Sequence, residues 1–218
     1  MQSSNDDYLS ELESLRRQLP LLESEGRITE VINVVKQISL IYTRNGNAYN
    51  PENAVALTKL GSLYRLEGMR EEAISYHLQG LDAFRVCLSK GQTNEFLITW
   101  FINSLQELAL LFRDNGQIMK AETLYKEVVE VTRKIFGEST QHYISALYNL
   151  ALFYRDIGEY GTSEALFQQC MERGNNLVGE YHPMIAEILN SVGVLYYIKS
   201  SVIINVIIPS SKSLIKIF

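Results

Sequence analysis

The sequence predicts an all-α fold, a right-handed superhelical α-solenoid of antiparallel helix pairs, on three observations. Leu60-Gly61-Ser62-Leu63-Tyr64-Arg65-x-x-Gly68 returns as Leu108-Ala109-Leu110-Leu111-Phe112-Arg113-x-x-Gly116 and as Leu150-Ala151-Leu152-Phe153-Tyr154-Arg155-x-x-Gly158. A large residue, a small one, an aromatic and a glycine at fixed offsets mark a chain of stacked units. Gly26, Gly68, Gly116 and Gly158 are spaced by 42, 48 and 42 residues, the length of a helix–turn–helix unit. Finally, 46% of the 218 residues are hydrophobic and only four are proline, enough apolar surface for one continuous core and few helix breakers.

Residues 1–50 form an irregular N-terminal helical pair that caps the array. Around Gly26, Leu12, Leu15, Leu19 and Leu22 make one stripe and Val31, Val35 and Ile38 a second. Terminal units are atypical because one face meets water. The leucine spacing also fits a short heptad, but Pro20 lies inside it and only two heptads are present.

The array proper covers residues 51–199, with units at about 51–92, 99–140 and 141–182 and a partial unit at 183–199. In each first helix the large residue stands eight before the glycine, the small one seven before and the aromatic four before, which places them on one stripe. The small residue lets the next helix approach closely and the glycine ends the helix in a left-handed conformation. Beyond the glycine a second stripe follows: Ala73, Ala121 or Ser163, then His77, Tyr125 or Phe167, then Gly80, Val128 or Cys170. Neither helix covers its apolar face alone, so stacked neighbours supply the rest of the core. The interval between Gly68 and Gly116 holds six extra residues.

The partial unit starts at Pro183 with Leu189, Val192, Gly193 and Tyr196 in register, and Ser200 stands where its glycine belongs. Residues 200–218 form an atypical non-repeat tail rich in Ile, Ser, Lys, Val and Asn, in which helical periodicity is expected to stop. Val192–Ile208 carries Lys199, Ser200, Ser201 and Asn205 and is shorter than the roughly 20 apolar residues of a membrane span. Val202–Ile208 reads as a β-prone run. The expectation is that the natural array continues and that this ending reflects a truncated or misread gene.

The repeats resemble tetratricopeptide repeats (TPR), and more narrowly the longer units of kinesin light chains. Gly179-Glu180-Tyr181-His182-Pro183, followed by Leu189-Asn190-x-Val192-Gly193-x-Leu195-Tyr196, is similar to that family's linker and first helix. Leu147-Tyr148-Asn149-Leu150-Ala151-x-x-Tyr154-Arg155-Asp156-x-Gly158-Glu159-Tyr160 matches again, after Ile135-Phe136-Gly137-Glu138. The resemblance covers about residues 51–197. HEAT and armadillo repeats are the runner-up architecture; the aromatic–Arg–x–x–Gly turn and the small residue five later argue against them.

The resemblance implies a non-catalytic scaffold or adaptor whose concave, first-helix face binds peptide segments of other proteins at roughly micromolar affinity. Two alternatives are a kinesin-light-chain-type cargo adaptor and a fragment of a larger protein with a separate catalytic domain. By that resemblance Asn149 and Asn190 contact the peptide backbone, with Lys59 and Asn103 as weaker candidates and Gln106, Glu107, Thr58, Tyr148, Ser191, Val55, Ser145 and Glu187 at neighbouring groove positions. Carboxamides suit the task because each offers donors and an acceptor. Arg65, Arg113 and Arg155 form a column suited either to a ligand carboxylate or to the last carbonyls of their own helices. Asp114 and Asp156 follow as ion-pair partners.

A net charge of −5 disfavours binding to a phosphate backbone, so no nucleic acid is expected. Cys87 and Cys170 sit at non-matching repeat positions and the N-terminus has no secretion or transit pattern, so a reducing, cytosolic location is expected. No His-x-x-x-His, Cys-x-x-Cys, Gly-x-Ser-x-Gly or phosphate-cradling loop occurs; an enzyme, a cofactor and a metal are not expected. His77 reads as a packing residue, His142 and His182 as loop residues, and Cys170 as a core residue.

Overall fold

The computed structural model describes residues 2–214, with side chains from residue 8 to residue 201. Among them the chain forms nine helices: α1 (Gln2–Ser24), α2 (Ile28–Arg44), α3 (Pro51–Leu66), α4 (Arg70–Ser89), α5 (Glu95–Asp114), α6 (Ile118–Phe136), α7 (Gln141–Asp156), α8 (Tyr160–Val178) and α9 (Pro183–Leu214). They divide into two compact units, residues 1–124 and 125–218, with the boundary inside α6. In the first unit each helix packs on the next, and α3 also touches α5; in the second, α7 packs on α8, α8 on α9 and α7 on α9. First helices touching first helices is the mark of a stacked α-solenoid.

The turns follow from glycine. At the end of α3, Gly68 sits at φ +75°, and Met69 N–H donates to the Tyr64 carbonyl at 2.9 Å while Gly68 N–H donates to Arg65 at 3.1 Å. The same pair of bonds closes the turns at Gly26, Gly116 and Gly158. A left-handed residue there costs an L side chain roughly 1–2 kcal/mol, which is why each unit carries a glycine at this place. Three first helices open on side-chain caps: Asn50 accepts from Asn53 N–H at 2.7 Å, Asn94 from Leu97 at 2.8 Å and Thr140 from Tyr143 at 3.4 Å.

Both expected stripes are buried. Leu60, Leu108, Ala109, Ala151, Ala73, Ala121, Ser163 and Cys170 have no exposure, and Tyr64, Phe112 and Tyr154 are 7%, 8% and 9% exposed. The small residues set the separation of α3 and α4. A Cβ on Gly61 would lie 2.5 Å from the His77 ring, and one on Gly80 would lie 2.4 Å from Thr58 Cγ2. Above this crossing Tyr64 stacks on Tyr76, with ring centroids 5.3 Å apart.

A third stripe was not foreseen. First helices bury a second side as well: Asn53 and Ala56 in α3 and Phe101, Ser104 and Leu111 in α5, against the preceding pair, and Tyr143, Ala146 and Phe153 in α7, where Phe153 meets Tyr125 of α6 with ring centroids 5.0 Å apart. Among the described side chains of α9 the buried ones all lie on this third stripe, Ile185, Ile188, Ser191 and Leu195. Leu189 and Tyr196, expected in the core, are 49% and 50% exposed, Gly193 is exposed too, and a Cβ on Gly193 would meet nothing within 4 Å. Their offsets meet the second helix of the same unit, and no described helix packs there; Val192 alone is half-buried.

Two further expectations change. The helix does not stop at Ser200 but runs to Leu214. β-branched residues cost a helix under about 1 kcal/mol each, and extending an existing helix needs no new nucleus. The side chains of the expected β-prone run, Val202–Ile208, lie outside the described ones. Four of the six residues inserted between Gly68 and Gly116 form one added turn, because α5 has 20 residues where α3 and α7 have 16. Among the described residues α5 is also the one helix long and apolar enough to cross a membrane; 56% of its apolar window is buried inside the protein, as befits a core helix.

Gly61→Ala should destabilise the protein by about 1–3 kcal/mol through overpacking against His77, whereas Gly193→Ala should stabilise it by up to about 1 kcal/mol through helix propensity. Urea unfolding followed by circular dichroism measures both; the opposite order is incompatible with the close crossing of α3 and α4.

Candidate functional site

In the first unit, charge laces neighbouring first helices together. Glu23, three residues before Gly26, pairs with Lys59 in α3. Arg65, three residues before Gly68, donates from Nε to Glu107 Oε2 in α5 at 3.3 Å. Lys59 and Glu107 both stand nine before their glycines, so the same two positions pair twice with the signs exchanged. In the second unit the corresponding position in α9 is Ser191, which carries no charge, and the α7–α9 link is instead the Tyr148 and Ser191 hydroxyls 2.8 Å apart.

At the arginine column the glycine turns already engage the last carbonyls. The terminal carbonyls of Tyr64, Arg65, Phe112, Arg113, Tyr154 and Arg155 accept from backbone N–H groups of the glycine turns. Arg113 and Arg155 bind the acid that follows each of them, with Arg113 Nη2 at 3.0 Å from Asp114 and Arg155 Nη2 at 2.8 Å from Asp156. Thr58 and Ser191, counted as groove positions, are 1% and 6% exposed and face inward; the Thr58 hydroxyl donates back to Ala54 at 3.2 Å. In α3 and α9 the positions ten and nine before the glycine position straddle the wall of the helix, so one of the two turns inward; in α5 and α7 both are half-buried.

Four candidates have free polar groups at the surface. Asn103 and Asn190 are exposed, Gln106 and Asn149 half-buried, and none of these carboxamides has a hydrogen bond among the described residues. They divide between the units: Asn103 and Gln106 on α5, Asn149 on α7 and Asn190 on α9. Ser145 and Glu187 are exposed beside the second pair, and Val55 is half-buried on α3.

One buried polar cluster has the residue types of a nucleophilic triad. His77 Nδ1 lies 3.1 Å from Ser104 Oγ, and His77 Nε2 lies 3.4 Å from Glu107 Oε2, a charge contact without hydrogen-bond alignment. Ser104 and His77 are 2% and 1% exposed, so the hydroxyl meets no substrate. The cluster is a polar strut joining α3, α4 and α5. It holds the Glu107 carboxyl down to about 2: the His77 ring does most, burial opposes it, and Ser62 and Arg65 add to the lowering. Burial pushes the Cys170 thiol up to about 12 and raises Cys87 as well, so both are poor nucleophiles at neutral pH. Among the described residues no group of three or more His, Cys, Asp or Glu is placed to hold a metal ion.

A carboxyl lowered by folding stabilises the folded state above its ordinary value of 4.5, and that contribution disappears as the pH falls toward 2. Glu107→Gln should therefore flatten the loss of stability between pH 4.5 and pH 2; an unchanged acid-unfolding profile rules the strut out. Both thiols, free and buried, should resist Ellman's reagent in the native protein and react at once in urea; fast native reaction at either one contradicts its burial.

Three tetratricopeptide repeat models match residues 56–83, 101–142 and 142–200, together more than half of the chain. No curated protein matches by sequence. Among solved structures the chain is similar to BtubC (BKLC) from P. vanneervenii, with 19% identity and TM-score 0.58 over 84% of this chain and 66% of that one. It is also similar to the nearly identical TPR-like repeats of a Podosopora anserina protein assigned as a kinesin light chain, with 18% identity and TM-score 0.70 over 88% of each chain. Apo RapI aligns at 12% identity and TM-score 0.67 over 88% of this chain. The chain spans less than two thirds of the length of BtubC and of RapI, 66% and 65%. At these identities the likeness is one of fold. With paired helices, glycine turns and the small-residue seam in place, the matched models identify the chain as a member of the tetratricopeptide repeat family.

Proposed function

We propose that this protein is a non-catalytic interaction scaffold that holds extended peptide segments of partner proteins against its first helices. The observation that carries this reading is the set of free carboxamides on those helices, Asn103, Gln106, Asn149 and Asn190, beside charged and hydroxyl groups that are tied up in links between neighbouring first helices. An extended peptide presents N–H and C=O groups at alternating positions, and a carboxamide answers either one. Family membership in a class of repeat scaffolds supports the same reading. Lys59, Arg65, Arg113 and Arg155 take a smaller part, since each is already paired with a carboxylate. No cofactor enters this function, and the partners are proteins rather than nucleic acid, in keeping with the net charge of −5. We place it in the cytosol, where two unpaired buried thiols remain reduced.

Each hydrogen bond from a carboxamide to a peptide contributes about 1 kcal/mol. The double variant Asn149→Ala/Asn190→Ala, losing about 2 kcal/mol, should therefore bind peptide partners about thirtyfold less tightly in a pull-down, with an unchanged circular dichroism spectrum. Equal recovery of every partner by parent and variant eliminates the groove.

A further inference from the structure

The second unit holds a notch between α7 and α9, lined by Ile144, Ser145, Tyr148, Met184, Glu187 and Ile188, with a volume of about 40 Å³. Ile144 and Ile188, each 1% exposed, lie at its apolar base. A single water needs roughly 10–15 Å³ and a benzene-sized cavity is near 150 Å³, so the notch suits a side chain of one to three carbons better than a ring. Its Tyr148 wall is held on two sides. The Tyr148 ring meets Phe167 edge to face at 5.8 Å and its hydroxyl is tied to Ser191 at 2.8 Å.

The mouth is acidic. Glu187 and Ser145 are exposed there, and Glu187 makes no ion pair among the described residues. Burial raises the Tyr148 phenol, the Ser191 hydroxyl opposes this, and the Glu187 carboxylate adds to the rise. The guanidinium that Tyr148 also feels, Arg155, is held by Asp156 at 2.8 Å. An uncompensated carboxylate beside an apolar notch complements a ligand with a cation beside a small apolar group.

We propose that this notch reads a small aliphatic side chain of an extended peptide, with Glu187 pairing to a Lys or Arg within two residues of it. The occupant is thus a basic peptide segment, and the proposal rests on the groove function above. Asn149 and Asn190 hold its backbone, while the notch and Glu187 choose its sequence. Side chains two apart in an extended strand lie on one face about 7 Å apart, within reach of a Lys or Arg stem.

The test is selection of a random phage-displayed peptide library on the full chain. Enriched peptides are then measured by fluorescence anisotropy, with circular dichroism as the check that each variant is folded. Enriched peptides should pair Ala or Val with a nearby Lys or Arg. Glu187→Gln should weaken them about fivefold, the upper range for an exposed ion pair, and Ser145→Trp, which fills the mouth, more than tenfold. Enriched peptides with aromatic or acidic residues instead, or with affinity indifferent to both variants, overturn the notch and leave the groove standing. An empty selection, or peptides indifferent to Asn149→Ala/Asn190→Ala, removes the groove and the notch with it.

Discussion

The close crossing of helices at small residues is the constraint on which the rest depends. A first helix here must bury two sides, one against its own second helix and one against the preceding pair. Only Gly, Ala or Ser at the crossing brings the backbones near enough for both. Gly61 against His77 and Gly80 against Thr58 are the tightest cases, with no room for even one added carbon. Once the backbones are this close, rings such as Tyr64 and Tyr76 close the seam above them. At about 25 cal/mol per Å² of apolar surface buried, these contiguous stripes outweigh any single polar contact, and the ion pairs serve mainly to set register between neighbours.

The paired helices, their glycine turns and both seam stripes were legible because each rests on a residue type recurring at a fixed offset. The side facing the preceding pair was harder to see. Its members (Asn53, Phe101, Tyr143 and Ile185) share a position but no chemistry, and only the neighbour's shape makes each of them fit. Misplacing Leu189, Gly193 and Tyr196 in the core follows from the same gap, since an offset marks a seam without supplying the helix that closes it. The pairing of Glu23 with Lys59 and of Arg65 with Glu107 was readable as a charge swap between two repeated positions, but only once first helices are known to touch. Asn149 and Asn190 were singled out by resemblance alone, whereas the notch beside them depends on rotamers of Tyr148 and Met184 that no spacing encodes.

The division of polar labour has a functional consequence. His77, Ser104, Glu107 and Arg65 form a strut in which every group faces another protein group, so their chemistry is consumed by the fold. Among the described residues the four carboxamides stand without such partners and Glu187, beside the Tyr148 hydroxyl, without a cation, and that is where a ligand gains most. A Tyr148 ring held by Phe167 and Ser191 lowers the entropy lost on binding beside it.

Hydrogen exchange at residue resolution tests the two-sided burial of first helices most directly. The amides of α7, buried on both sides, should exchange markedly more slowly than those of α9 between Pro183 and Ser200, which is packed on one side only. Equal protection of the two helices, or slower exchange in α9, would contradict the account.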